Sequence, residues 1–115
     1  MTPPAAALHH LTDPQRELLA RCERLAQEVL APIAAAGEPG RINRPLVAAL
    51  GQHGLLPLAL QRESGIRAMD LCLIREGLAR FCTEAETAFA VQALGVHPML
   101  SAGRPELLDV WLPRV

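Results

Sequence analysis

The sequence predicts an all-α domain, an up-and-down orthogonal bundle of about five to six helices. Three observations carry this. Half of the 115 residues are hydrophobic, yet aromatics make up only 3% and Tyr is absent, so the core is built from Leu, Ala, Val and Ile. Ala-rich aliphatic stretches favour helix over strand. Cap residues, prolines and glycines punctuate the chain at helix-length intervals, and no segment offers itself as a partner strand. The length suits one domain with one modest core.

Residues 1–10, MTPPAAALHH, lack a basic n-region and read as a flexible tail rather than a signal peptide. The first helix opens after Leu11. Thr12 and Gln15 have capping-box spacing, and Pro14 falls in the first turn, where a missing N–H breaks no bond. Leu18, Cys22, Leu25 and Val29 form a stripe at helical spacing, widened by Leu19, Ala26, Leu30 and Ile33. Glu17–Arg21 and Arg24–Glu28 have i,i+4 spacing on the wetter side. Pro32 is expected to end or bend this helix.

GEPGRINRP reads as a surface connection. Asn43 caps the second helix with Pro45 in its first turn, and Gly54 closes it, followed by Leu55. Gly51 inside this helix suggests a close helix–helix approach. In LLPLAL the leucines look inward, but Pro57 interrupts them, and an extended buried connection is expected. Ser64-Gly65 reads as a turn. The third helix runs from about Met69 to Phe81, with Met69, Leu73, Leu78 and Phe81 on one side. Glu76, near that stripe, reads as a boundary carboxylate bonded to a neighbouring Arg or to a backbone N–H.

The fourth helix starts at Thr83, with Glu86 three residues on. Its body is apolar on more than one face: Ala85, Ala88, Phe89, Ala90, Val91, Ala93 and Leu94. A helix apolar nearly all round is covered on most sides. It is the central core helix, or a helix that faces something beyond its own bundle, such as a partner, another domain or an apolar ligand, and the two are not exclusive. Gly95 is expected to break it, Pro98 to restart a short turn through Met99 and Leu100, and Gly103 to end that turn. Pro105 opens a last helix whose buried residues are Leu107, Leu108 and Trp111, and Pro113 ends it.

The chemistry read from motifs is mostly negative. The formal charge of −1 gives no electrostatic case for nucleic acid or an anionic membrane. All basic side chains are Arg, so there is no Lys for a Schiff base. No run approaches the ~18 apolar residues of a membrane span. Cys22, Cys72 and Cys82 are far apart and odd in number, and read as small buried thiols in a reducing, cytoplasmic setting. His9, His10, His53 and His97 make no ligand spacing, and no metal site is expected. There is no GxGxxG, no GxxxxGK[ST] and no GxSxG. Nothing marks a catalytic residue.

Four stretches, in order, resemble the N-terminal helical domain of the acyl-CoA dehydrogenase family: LTDPQRELLARCERLAQEVLAPIAA, LVAALGQHGLLPLAL, LIREGLARFCTEAETAFAVQALGVHPMLSAG and ELLDVWLPRV. The likeness covers Leu11 to Val115, so residues 11–115 are read as that domain, with a β-domain and a C-terminal helical bundle expected beyond it. The resemblance implies a FAD flavoprotein that oxidises an acyl-CoA to the 2,3-enoyl-CoA and passes electrons to an electron-transfer flavoprotein. It also implies a homo- or hetero-oligomer, with the flavin held mainly by the other domains. By position it implies an acyl-pocket wall of Ala90, Val91, Leu94, Gly95 and Met99. The loop LQRESGIRAMD has one Gly and no aromatic where the family has a richer glycine motif, and Glu76-Gly77 stands where it has two acids. These departures point to a divergent member. The competing readings are a stand-alone helical interaction module and a relative that has lost catalysis.

Overall fold

A computed structural model describes residues 10–62 and 67–115. All regular structure among them is helical: α1 (Asp13–Leu25), a π-helical stretch (Ala26–Leu30), α2 (Ala31–Ala35), α3 (Arg44–Gln52), α4 (Leu55–Ala59), α5 (Ala68–Ala79), α6 (Thr83–Ala102), α7 (Pro105–Trp111) and a 3₁₀ turn (Leu112–Arg114). The predicted all-α class is observed. All but residue 10 of the predicted 1–10 tail, and the Ser64-Gly65 turn, lie outside the described residues.

The capping box forms: Thr12 Oγ1 accepts from the Gln15 N–H at 3.3 Å, and Gln15 Oε1 accepts from the Thr12 N–H at 2.9 Å. Pro32 does not end the rod. The π stretch lies just ahead of it and carries α1 directly into α2. A wider turn there accommodates a ring that has no N–H and would crowd the preceding turn. The expected Glu17–Arg21 pair is absent among the described bonds. Glu17 binds Arg24 at 3.2 Å, while Arg21 reaches across to the His53 carbonyl.

Asn43 caps α3, its Oδ1 accepting from the Leu46 N–H at 3.1 Å, and its Nδ2 donates to the Ile33 carbonyl at 3.1 Å. Gly54 sits at φ +79°, a left-handed closure that glycine adopts without steric cost, and Leu55 behind it is fully buried. LLPLA is helical rather than extended, because Pro57 falls in the first turn of α4, where its missing N–H costs nothing.

Around one core sit Cys22, Leu30, Leu50, Leu55, Ile74, Leu78 and Phe89, all fully buried. α1 packs along α5, α5 along α6, and α3 and α4 close the other side of α6. The close approach expected at Gly51 occurs instead at Gly77. There a Cβ would stand 2.7 Å from Cys22 Cβ, whereas at Gly51 it would meet only Leu56 at 3.7 Å. Met69 is half-exposed because the buried stripe of α5 is Leu73, Ile74, Gly77 and Leu78. Glu76 pairs with Arg80 at 3.2 Å, and Arg80 also holds Glu23 of α1 at 3.0 Å. Cys22 and Cys82 are buried as expected, but Cys72 is exposed.

Gly95 does not break the fourth helix. α6 is one continuous helix of 20 residues with both Gly95 and Pro98 inside it. Phe89, Ala93 and Val96 keep an inward stripe running through the glycine, and that packing outweighs a penalty of about 1 kcal/mol. The box at Thr83 does not form either. Thr83 is already inside the helix, and Glu86 is drawn to Arg75. On α7 only Leu108 is buried, while Leu107 and Trp111 are about half-exposed, with Arg114 stacked 5.6 Å over the Trp111 ring. The whole is a slab, 46 × 37 × 19 Å.

Candidate apolar groove

α6 buries one stripe (Ala85, Phe89, Ala93 and Val96) and exposes another. Val91 is 61% exposed and Leu94 74%, and at i,i+3 spacing they form one apolar patch on the open face of the helix. Ala90, partly buried, lies between the two stripes. Beside the exposed stripe runs a groove of about 500 Å³ between α5 and α6. Leu71, Cys72 and Arg75 form the α5 bank, and Ala90, Val91, Leu94 and His97 the α6 bank.

Three of the five residues expected in a pocket wall, Ala90, Val91 and Leu94, thus meet in one groove. The other two do not. Gly95 is exposed on open ground, where a Cβ would meet nothing within 4 Å. Met99 is partly buried at the end of α6, where its carbonyl accepts from the Gly103 N–H at 2.8 Å. A larger groove, about 830 Å³, lies on the opposite flank of α6 against the α2–α3 connection, with Ile42, Leu46, Val47 and Ala88 on its walls. Val91 borders both. The smaller groove is the better candidate, because the larger one takes in only Val91 of the five.

The α5 bank was not foreseen from the sequence. Which α5 side chains meet α6 depends on the register of the α5–α6 pair. That register is tied by a hydrogen bond from Arg75 Nε to Glu86 Oε1 at 2.6 Å. Arg75 alone, in an i+11 relation to an acid, gave no usable signal.

The groove's middle is hydrocarbon, and its polar groups stand at the ends: Arg75 with Glu86, and His97 within 3.4 Å of Ser101 Oγ. Such a surface binds apolar area. It holds no paired acid and base, and no cluster of metal-ligating side chains occurs among the described residues. Burial pushes the Cys22 thiol up to about 11 and also raises Cys82, so neither is a ready nucleophile. No polar or charged side chain is buried among the described residues. The described residues thus include no buried polar side chain that would hold the phosphates of a dinucleotide cofactor. No helix among them is long and apolar enough to cross a membrane.

Fold and groove together define an all-helical domain that carries an exposed aliphatic stripe along α6. The chain belongs to the acyl-CoA dehydrogenase family: the family's model of the acyl-CoA dehydrogenase N-terminal domain matches residues 12–115. A cyclohexane-1-carbonyl-CoA dehydrogenase of Geobacter metallireducens is 33% identical over 95 residues, which cover 78% of this chain and 25% of that protein. A protein of the same name in Syntrophus aciditrophicus is 28% identical over 97 residues, covering 80% of this chain and 25% of its own. The chain thus spans about a quarter of the length of the curated relatives it matches. No solved structure matches.

Proposed function

We propose that this domain forms one wall of the acyl pocket in an acyl-CoA dehydrogenase that oxidises an acyl-CoA thioester to the 2,3-enoyl-CoA. The observation that carries the reading is the exposed aliphatic stripe of Val91 and Leu94 beside the α5–α6 groove. A wall of this kind holds an alkyl group by area removed from water, worth about 25 cal/mol per Å². It positions the reacting carbons without touching them chemically. Hydride acceptance is the chemistry that FAD supplies when bound, and the flavin belongs to other parts of the whole protein. An acyl-CoA and an electron-transfer flavoprotein are the partners of that whole protein, and oligomerisation and a cytoplasmic location are part of the same reading. The relatives' names make a ring-shaped acyl group the first substrate to try.

The test uses the full-length protein. Purified protein shows flavin absorbance, and adding cyclohexane-1-carbonyl-CoA anaerobically bleaches it. A yellow protein that no acyl-CoA bleaches indicates a relative without the activity. A colourless, monomeric and stable protein supports an interaction module instead.

A further inference from the structure

We propose that the main-chain carbonyl of Leu94 is a ligand-binding acceptor that takes an amide N–H from the pantetheine arm of an acyl thioester, an inference that rests on the wall reading above. Pro98 lies inside α6, four residues after Leu94. It carries no N–H, so the Leu94 carbonyl lacks the donor that an α-helix gives every interior carbonyl. Gly95, the next residue, stands on open ground: apart from the helix's own backbone, nothing lies within 4 Å of where its Cβ would be. Leu94, Gly95 and Pro98 are all exposed, while Leu94 and His97 line the α5–α6 groove. The two residues least suited to a helix interior are thus placed together on the outer face of α6, and no contact within the domain calls for Gly95 to be small.

In the open groove, water serves that acceptor. A ligand that covers the groove removes the water, and a dry unpaired carbonyl costs more than the hydrogen bond gains. A ligand that seats well therefore brings a donor to this point. Hydrocarbon brings none, and the thioester group is acceptor only. The first donor along an acyl-CoA is the amide N–H, two methylenes beyond the sulfur. This sets the direction of binding, with the acyl group against Ala90 and Val91 and the arm leaving past His97. Only about one helical turn, roughly 6 Å, separates Ala90 from Leu94. That spacing suits a compact acyl group, short or ring-shaped, rather than a long chain.

Pro98→Ala in the full-length protein restores the N–H and satisfies the carbonyl from within the helix. The probes are two thioethers that do not turn over: cyclohexylmethyl N-acetylcysteamine, which has the amide, and cyclohexylmethyl butyl sulfide, which lacks it. By calorimetry, the variant binds the amide-bearing probe about two- to tenfold more weakly than wild type and the amide-free probe no more weakly, while its melting temperature rises. Pro98→Gln, which also restores the N–H, behaves the same way and guards against a folding defect in one variant. Equal affinity of wild type and both variants for the amide-bearing probe overturns this proposal alone. Failure of the wild type to bind either probe overturns the wall reading and this proposal with it.

Discussion

Gly77 of α5 and Cys22 of α1 lie so close that a Cβ on the glycine would stand 2.7 Å from Cys22 Cβ and 3.0 Å from the Leu19 carbonyl oxygen. The position where the resemblance leads one to expect a second acid is thus the contact at which the two longest-packed helices cross. Gly77→Ala gains helix propensity of up to about 1 kcal/mol but forces the pair apart, for a net loss of about 1–3 kcal/mol in urea unfolding. Gly95→Ala meets nothing, and in the same assay it stabilises by about 0.5–1 kcal/mol.

Asn43 works in two directions, capping α3 through Oδ1 and latching the end of the first rod through its bond to the Ile33 carbonyl. Asn43→Ser keeps a cap acceptor and loses the latch, a loss of about 0.5–1.5 kcal/mol. Asn43→Ala loses both and costs about 1 kcal/mol more. Equal losses in the two variants show that the cap contributes nothing.

The alkaline limb of stability is set by thiols. With neither Lys nor Tyr in the chain, few side chains other than Cys titrate between pH 9 and 11. Cys22 moves from an ordinary 9.0 up to about 11 because burial disfavours the thiolate, and Cys82 moves the same way. The unfolded chain therefore releases these protons first as pH rises. The stabilisation is complete below pH 9 and is lost between pH 9 and 11. Denaturant titrations under reducing conditions show that fall, and Cys22→Ala flattens it by roughly 2 kcal/mol.

Val91 stands 61% exposed on the groove wall. Val91→Asp places a charge where the wall reading puts hydrocarbon. In the full-length protein it lowers kcat/KM for the acyl-CoA by at least about tenfold, the worth of one buried aliphatic side chain. Flavin content stays unchanged. An unaltered kcat/KM removes Val91 from the wall.

Local chemistry made much of the fold readable. Thr12 with Gln15, the cap of Asn43 with Pro45, and Gly54 each act within one turn of their own chain, as the residue type alone dictates. The misreadings arose where packing outvotes local preference. Gly95 looked like the end of one helix and Pro98 like the start of a separate turn, but Phe89, Ala93 and Val96 hold the helix together from the far side. Pro57 looked like an interruption and is a first-turn residue. Leu107 and Trp111 were expected to be buried with Leu108, yet only Leu108 on that helix is. The excess apolar face of α6 was visible in its composition. The opposing bank of Leu71, Cys72 and Arg75 was not, because a groove has two sides and only one is written in any single helix.

The slab is 19 Å thick, roughly two helix diameters. Few side chains in such a sheet of rods are more than one layer from daylight, so there is little hidden material from which to carve a deeper cavity. On the wall reading, refitting this domain to a different guest therefore means swapping groups already on the outside of α6, at positions such as 90, 91, 94 and 97. Phe89 and Ala93, one step behind, stay committed to keeping the rods together.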